Sequence, residues 1–178
     1  MKELEELVKY AESKGYKVEF VGKDELHDYA GMNFEAAKVM GYEDIEHNEF
    51  KIDRNETEGV QAETLRHEII EKNLMKAGLK YYPAHVIALK LERVELSAND
   101  LDTLAKIGVY EVVHIHNDGN LTVRSNNQEF NVGRNGDAKL RGIIYSKKEL
   151  KTPSDVFKKA KKKIHREHDK QSSVARLL

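Results

Sequence analysis

The feature that most constrains this chain is a change of hydrophobic period near residues 97–108. Before it, apolar residues recur mainly three and four apart; after it, they alternate. Helices gathered mainly before it and strands mainly after it fit an α+β fold. Leu4, Leu7, Val8 and Ala11 predict a helix over 3–14, closed by Gly15. Residues 16–21 and 49–53 alternate and predict two short strands. Residues 24–30 read as a short helix or loop broken at Gly31, and 34–40 as a helical turn. A long helix is expected over 58–76 with Gly78 beyond its end, and a second from Tyr81-Tyr82-Pro83 to about Leu96. A third covers 99–107, closed by Gly108.

Beyond it, 110–115 and 121–124 flank Asn117-Asp118-Gly119-Asn120, a hairpin signal. Phe130-Asn131-Val132 continues a meander and Ile143-Ile144-Tyr145 adds to it. Thr152-Pro153-Ser154-Asp155 opens a last, lysine-rich helix to about 168. The expected division is 1–97, with a small sheet and two motif helices, and 98–178, a β-meander followed by a basic helix.

Composition narrows the chemistry. Among 178 residues there is no cysteine, which excludes disulfides, thiolate catalysis and Cys-ligated zinc. High Lys and Glu without Cys is a thermophile trait. No apolar run reaches the ~18 residues of a membrane helix. Met1-Lys2-Glu3-Leu4-Glu5-Glu6 is too acidic for a signal peptide, so the expected place is the cytoplasm. The formal net charge of −1 hides an asymmetry: residues 1–136 hold 17 Lys/Arg against 26 Asp/Glu, and 137–178 hold 13 against 5. The basic part suits an anionic partner, or else a solvated helix face.

The most informative stretch is Thr64-Leu65-Arg66-His67-Glu68-Ile69-Ile70-Glu71. At helical spacing His67 and Glu71 share a face with Val60 and Leu74, an apolar stripe. Burying an imidazole and a carboxylate there is costly unless they pair or bind a metal. Helix-borne zinc sites place two ligands at i and i+4, with a glutamate at i+1 that works on the metal-bound water. In that arrangement His67 and Glu71 would be the ligands, giving H-E-x-x-E, with Glu68 at i+1. A carboxylate ligand suits zinc and, more naturally, iron or manganese. His85, early in the next helix, is the candidate third ligand. It shares a face with Leu89 and Glu92, and Glu92 is placed to orient a ligating histidine from behind. The same residues also allow a plain structural reading, in which His67 bonds Glu71 or Glu92 as a buried polar pair and His85 caps its helix.

The segment from Asn48 to Glu92 joins these residues to Leu74-Met75-Lys76-Ala77-Gly78, Ala84-His85 and Ala88-Leu89-Lys90-Leu91-Glu92. In this it resembles small zincin-like proteins of phages, plasmids and archaeal mobile elements. Their pattern is HE, two residues, E, then LM-x-x-G, AH and A-x-x-x-E. The resemblance covers about 45 of the 178 residues. It implies a zincin-like N-terminal part with a zinc or other divalent metal on His67, Glu71 and His85, and Glu68 as general base. It also implies hydrolase activity of the peptidase type on a peptide or protein, or an inactive relative. Glu71 stands where metallopeptidases carry a second histidine.

Other groups are weaker. His114 and His116 share a strand face near Asp118; His165 and His168 are one turn apart; His27 and His47 lie in polar segments from which either could approach the site. Lys158, Lys159, Lys161, Lys162 and Lys163 form a candidate phosphate-binding face without interleaved aromatics. They support a second expectation, a non-enzymatic accessory protein of a virus or plasmid that binds nucleic acid weakly, or a partner protein, through its basic end. No phosphate loop, dinucleotide loop or serine nucleophile motif occurs.

Overall fold

Lys2–Ser13 form helix α1, Lys17–Val21 strand β1, Lys23–Leu26 a 3₁₀ turn, Gly31–Asn33 strand β2 and Phe34–Met40 helix α2. Strand β3 (Glu49–Asp53) is followed by α3 (Glu58–Lys76), α4 (Tyr81–Leu91) and α5 (Ala98–Ile107). Strands β4 (Glu111–Ile115), β5 (Leu121–Ser125), β6 (Gln128–Val132), β7 (Ala138–Leu140) and β8 (Ile143–Tyr145) complete the order. This computed structural model describes residues 2–133, 138–140 and 143–145. The expected basic helix, with its five candidate lysines and His165 and His168, lies outside the described residues.

Among the described residues the architecture is α+β with two separate sheets. The first has the order β1-β3-β2, β1 parallel to β3 and β2 antiparallel to it. The second is an antiparallel meander in the order β4-β5-β6-β7-β8. Local chemistry explains the boundaries. Asn33 caps α2 by accepting from the Ala36 N–H, and Thr57 caps α3. Ser97 and Asp100 form a reciprocal capping box on α5. Gly78, at φ 107°, turns the chain from α3 toward α4 in a conformation costly for any side chain. Asn126 and Asn127, both at positive φ, make the tight β5–β6 turn.

Helix α3 is the hub. Residues 65–72 are buried in unbroken succession, because α1, α4, α5, β2 and β3 surround it. Over this stretch no single apolar stripe is set apart, and the expected stripe holds at Leu74 but not at Val60, in the exposed first turn. Val60 is exposed, as is Leu89 on α4. The four charged residues in this run are matched: Arg66 reaches Glu3 and the Glu92 carbonyl, Lys72 reaches Glu35 and the His47 carbonyl, and Glu68 and Glu71 share Asn33.

Three expectations are corrected. Helix α4 stops at Leu91, not near Leu96; the carbonyl of Glu92, just past its end, accepts from Arg66 instead of continuing the helix. Gly31 does not break the chain; it opens β2, which no alternation in the sequence announces. Strand β7 was likewise not expected. Among the described residues one cluster of buried side chains runs from α1, β3 and α3 through α4 and α5 into the meander. A second, smaller one joins Val21, Leu26, Met32, Ala37 and Ile45.

Candidate metal centre

Three side chains from two helices meet at one point. His67 and Glu71 sit one turn apart on α3, and the α3–α4 connection through Gly78 brings His85 across to them. His67 Nε2 stands 3.1 Å from His85 Nδ1, His85 Nδ1 stands 2.7 Å from Glu71 Oε2, and His67 Nε2 stands 3.6 Å from Glu71 Oε2. Ligand atoms ~2.0–2.1 Å from a tetrahedral zinc stand about 3.3–3.4 Å apart, a separation these three bracket. Three lone-pair atoms facing one another repel, so either protons or a cation must occupy the corner. The donor set, two imidazole nitrogens and one carboxylate oxygen, fits a divalent metal ion.

The second nitrogen of His67 is also committed. Nδ1 lies 2.9 Å from Glu92 Oε2. A carboxylate only accepts, so Nδ1 carries the proton, and in the neutral ring Nε2 keeps its lone pair toward Glu71 and His85. Glu92, just past α4, thus stands where the sequence reading put it. Its main chain is held by Arg66, which donates to the Glu92 carbonyl.

Glu68 lies one position from His67 and is buried beside Glu71. Asn33, absent from the sequence reading, connects the two: its Nδ2 donates to Glu68 Oε2 at 2.7 Å and to Glu71 Oε1 at 2.8 Å. Its Oδ1 accepts from the Ala36 N–H at 3.0 Å, which fixes the amide the right way round. The legible signal was the helix cap, an Asn before Phe34-Glu35-Ala36-Ala37. Gly31, two residues earlier, passes so close to α3 that a Cβ there would meet Thr64 Cγ2 at 2.5 Å and Glu68 Oε1 at 3.1 Å. Tyr81, one turn before His85, rests its ring on the imidazole with centroids 5.4 Å apart, and its hydroxyl reaches Met40. Its i, i+4 relation to His85 made it readable too.

The electrostatics separate the groups. Burial works against the charged His67 ring, but Glu71, Glu68 and Glu92 outweigh it and push its pKa up to about 9. Burial and the neighbouring Glu71 charge raise Glu68 to about 7. Burial alone would raise Glu71 as well, yet hydrogen bonds from His67, Asn33 and His85 hold it below its ordinary value. Adjacent carboxylates pushed in opposite directions are suited to different tasks: an ionised ligand, and a base poised near neutrality.

Among the described residues, the remaining histidines stand apart from this group. His27 bonds Asp44 at 3.0 Å and stacks on Tyr42. His47 packs beside Phe34. His114 and His116 do share the exposed meander face, with ring centroids 4.5 Å apart, but His116 bonds Thr122, and Asp118 is spent on the turn at Asn120. Among the described residues, His67, Glu71 and His85 are the one group of three such side chains close enough to hold a metal. Compared with known protein families, curated proteins and solved structures, the chain matches none.

Proposed function

We propose that the chain is a zincin-like, metal-dependent hydrolase of the peptidase type, with zinc as the metal. The observation that carries this reading is the convergence of His67 Nε2, His85 Nδ1 and Glu71 Oε2 within 2.7–3.6 Å, on an i, i+4 pair and its facing helix. Two helices beside a small sheet with an outer strand, β2, support the zincin-like reading of the fold. When bound, the cation supplies Lewis-acid polarisation of a carbonyl and lowers the pKa of a water molecule. Glu68 takes the proton of the attacking water and returns it to the leaving amine. Glu92 holds the His67 tautomer, and Glu71 stays ionised because its hydrogen-bond donors favour the charged form.

The test is elemental analysis of protein purified without a histidine tag, joined to peptide hydrolysis measured with and without a chelator. Stoichiometric metal and chelator-sensitive hydrolysis support the proposal. Metal without hydrolysis leaves an inactive relative that keeps the site, a reading favoured by the carboxylate at the second ligand position. No metal under any loading condition removes both.

The excess of 13 Lys/Arg over 5 Asp/Glu in residues 137–178 favours a second reading, an accessory protein of a mobile element that binds nucleic acid weakly. Such binding is sequence-independent and collapses as salt rises, because phosphate contacts release counterions. Tight binding unchanged between low and physiological salt overturns it.

A further inference from the structure

We propose that Asn33 is a positioning residue that biases Glu71 toward one-oxygen ligation and holds Glu68 beside it as a separate base. This rests on the metal-centre reading above and adds to it a determinant of coordination number.

Glu68 and Glu71, three apart on a buried helix, bring two carboxylates to one neighbourhood with little water to separate them. A single NH₂ group lies between them and gives one hydrogen to each, at 2.7 and 2.8 Å. The amide cannot turn over, since its oxygen is engaged by the Ala36 N–H and an amide nitrogen would not accept that bond. Asn33 is fully buried, so water does not compete for its hydrogens.

The cap alone does not explain asparagine. Ser, Thr or Asp would supply the acceptor that α2 needs. What asparagine adds is the pair of donors, and both are spent on the motif carboxylates.

The consequence lies in which oxygens remain. Glu71 Oε1 is taken by Asn33, and Oε2 is the oxygen that faces His85 at 2.7 Å and His67 at 3.6 Å. The Asn33 bond draws Oε1 away from the corner and leaves Oε2 forward, so two-oxygen ligation by Glu71 has to compete with that bond. The site is thereby held to few protein ligands, which suits four-coordinate zinc or cobalt(II) better than cations that gather six or more oxygens. Glu68 Oε2 is tethered by the same group, so drawing the base in as a further ligand works against that bond.

The experiment compares wild type with Asn33→Ser, which keeps a cap acceptor and removes both donors, and with Asn33→Ala, which removes both functions. Zinc affinity is read by competition with a chromophoric chelator, and geometry by the visible bands of the cobalt(II)-loaded protein. Asn33→Ser is expected to fold, to bind zinc about 10–100-fold more weakly, and to lose cobalt band intensity as coordination number rises. Wild-type affinity together with an unchanged cobalt spectrum in Asn33→Ser overturns the inference while leaving the metal centre standing. A wild-type protein that takes up neither metal overturns the metal-centre reading and this inference with it. Should neither variant fold, the Asn33 side-chain amide protons of the wild type decide by NMR. Two slowly exchanging protons that shift on zinc addition support the role, and two protons exchanging like those of a free amide overturn it.

Discussion

Glu92 accepts the Nδ1 proton of His67 at 2.9 Å, joining the end of α4 to the middle of α3. A carboxylate behind a ligating imidazole fixes the tautomer and strengthens the ligand. Glu92→Gln is therefore expected to weaken zinc binding about 10–100-fold. The folded state should persist, because the main chain of Glu92 stays anchored by Arg66. Chelator competition and a denaturation curve on the same sample check both halves.

The site also sets a pH dependence. Raised from 6.5 to about 9, His67 contributes stability that is complete below about 6.5 and lost as pH rises through about 9. Glu68, raised from 4.5 to about 7, contributes in the same sense: its share is present below 4.5 and lost as pH rises through about 7. Glu71 is held below its ordinary value, so its share is lost only in acid, as pH falls. The metal-free protein should therefore be less stable at pH 8.5 than at pH 6. Added zinc, which competes with the His67 proton, should stabilise it more at the higher pH. Urea unfolding at both values, with and without zinc, checks the sign.

Gly31→Ala is expected to cost about 1–3 kcal/mol, as overpacking does. The new methyl carbon would stand 2.5 Å from Thr64 Cγ2 and 3.1 Å from Glu68 Oε1. Thr64→Ser removes the nearer obstacle, so the double variant should recover part of the loss. A double-mutant cycle by chemical denaturation measures the coupling.

Leu74 is 1% exposed and Leu89 is 50% exposed. Leu74→Ala should cost about 2–5 kcal/mol and Leu89→Ala less than about 0.5 kcal/mol. Equal losses in the two unfolding midpoints would contradict the orientation of α3 and α4.

Much of this was readable because the determinants are local. The ends of β3 and α3 follow from alternation at 49–53, from the Thr57 cap and from Gly78. His67, Glu71, His85 and Glu92 follow from helical spacing and a short connection. Asn33, Gly31 and the strand they share were not readable as part of the site. Their role depends on β2 pairing with β3 at Gly31–Ile52 and Asn33–Phe50, a non-local register no period announces. The position of Val60 misled for the opposite reason. A stripe argument assumes one buried face along the whole helix, whereas Val60 stands in the exposed first turn of α3, ahead of the enclosed run 65–72.

Val21, Leu26, Met32, Ala37 and Ile45, with Phe34, Met40 and Tyr42 against them, form a cluster of their own. A segment with its own small core opens at a free energy set by that core and its few ties, well below the cost of unfolding the whole molecule. Its polar ties to α3 run from Asn33 to the two carboxylates and from Glu35 to Lys72. The molecule's cooperativity is thus divided unevenly. Amide hydrogens of α2 should exchange with solvent long before those of Leu65 to Ile70. Such an opening would let Glu68 and Glu71 meet water while the helix that carries them stays folded.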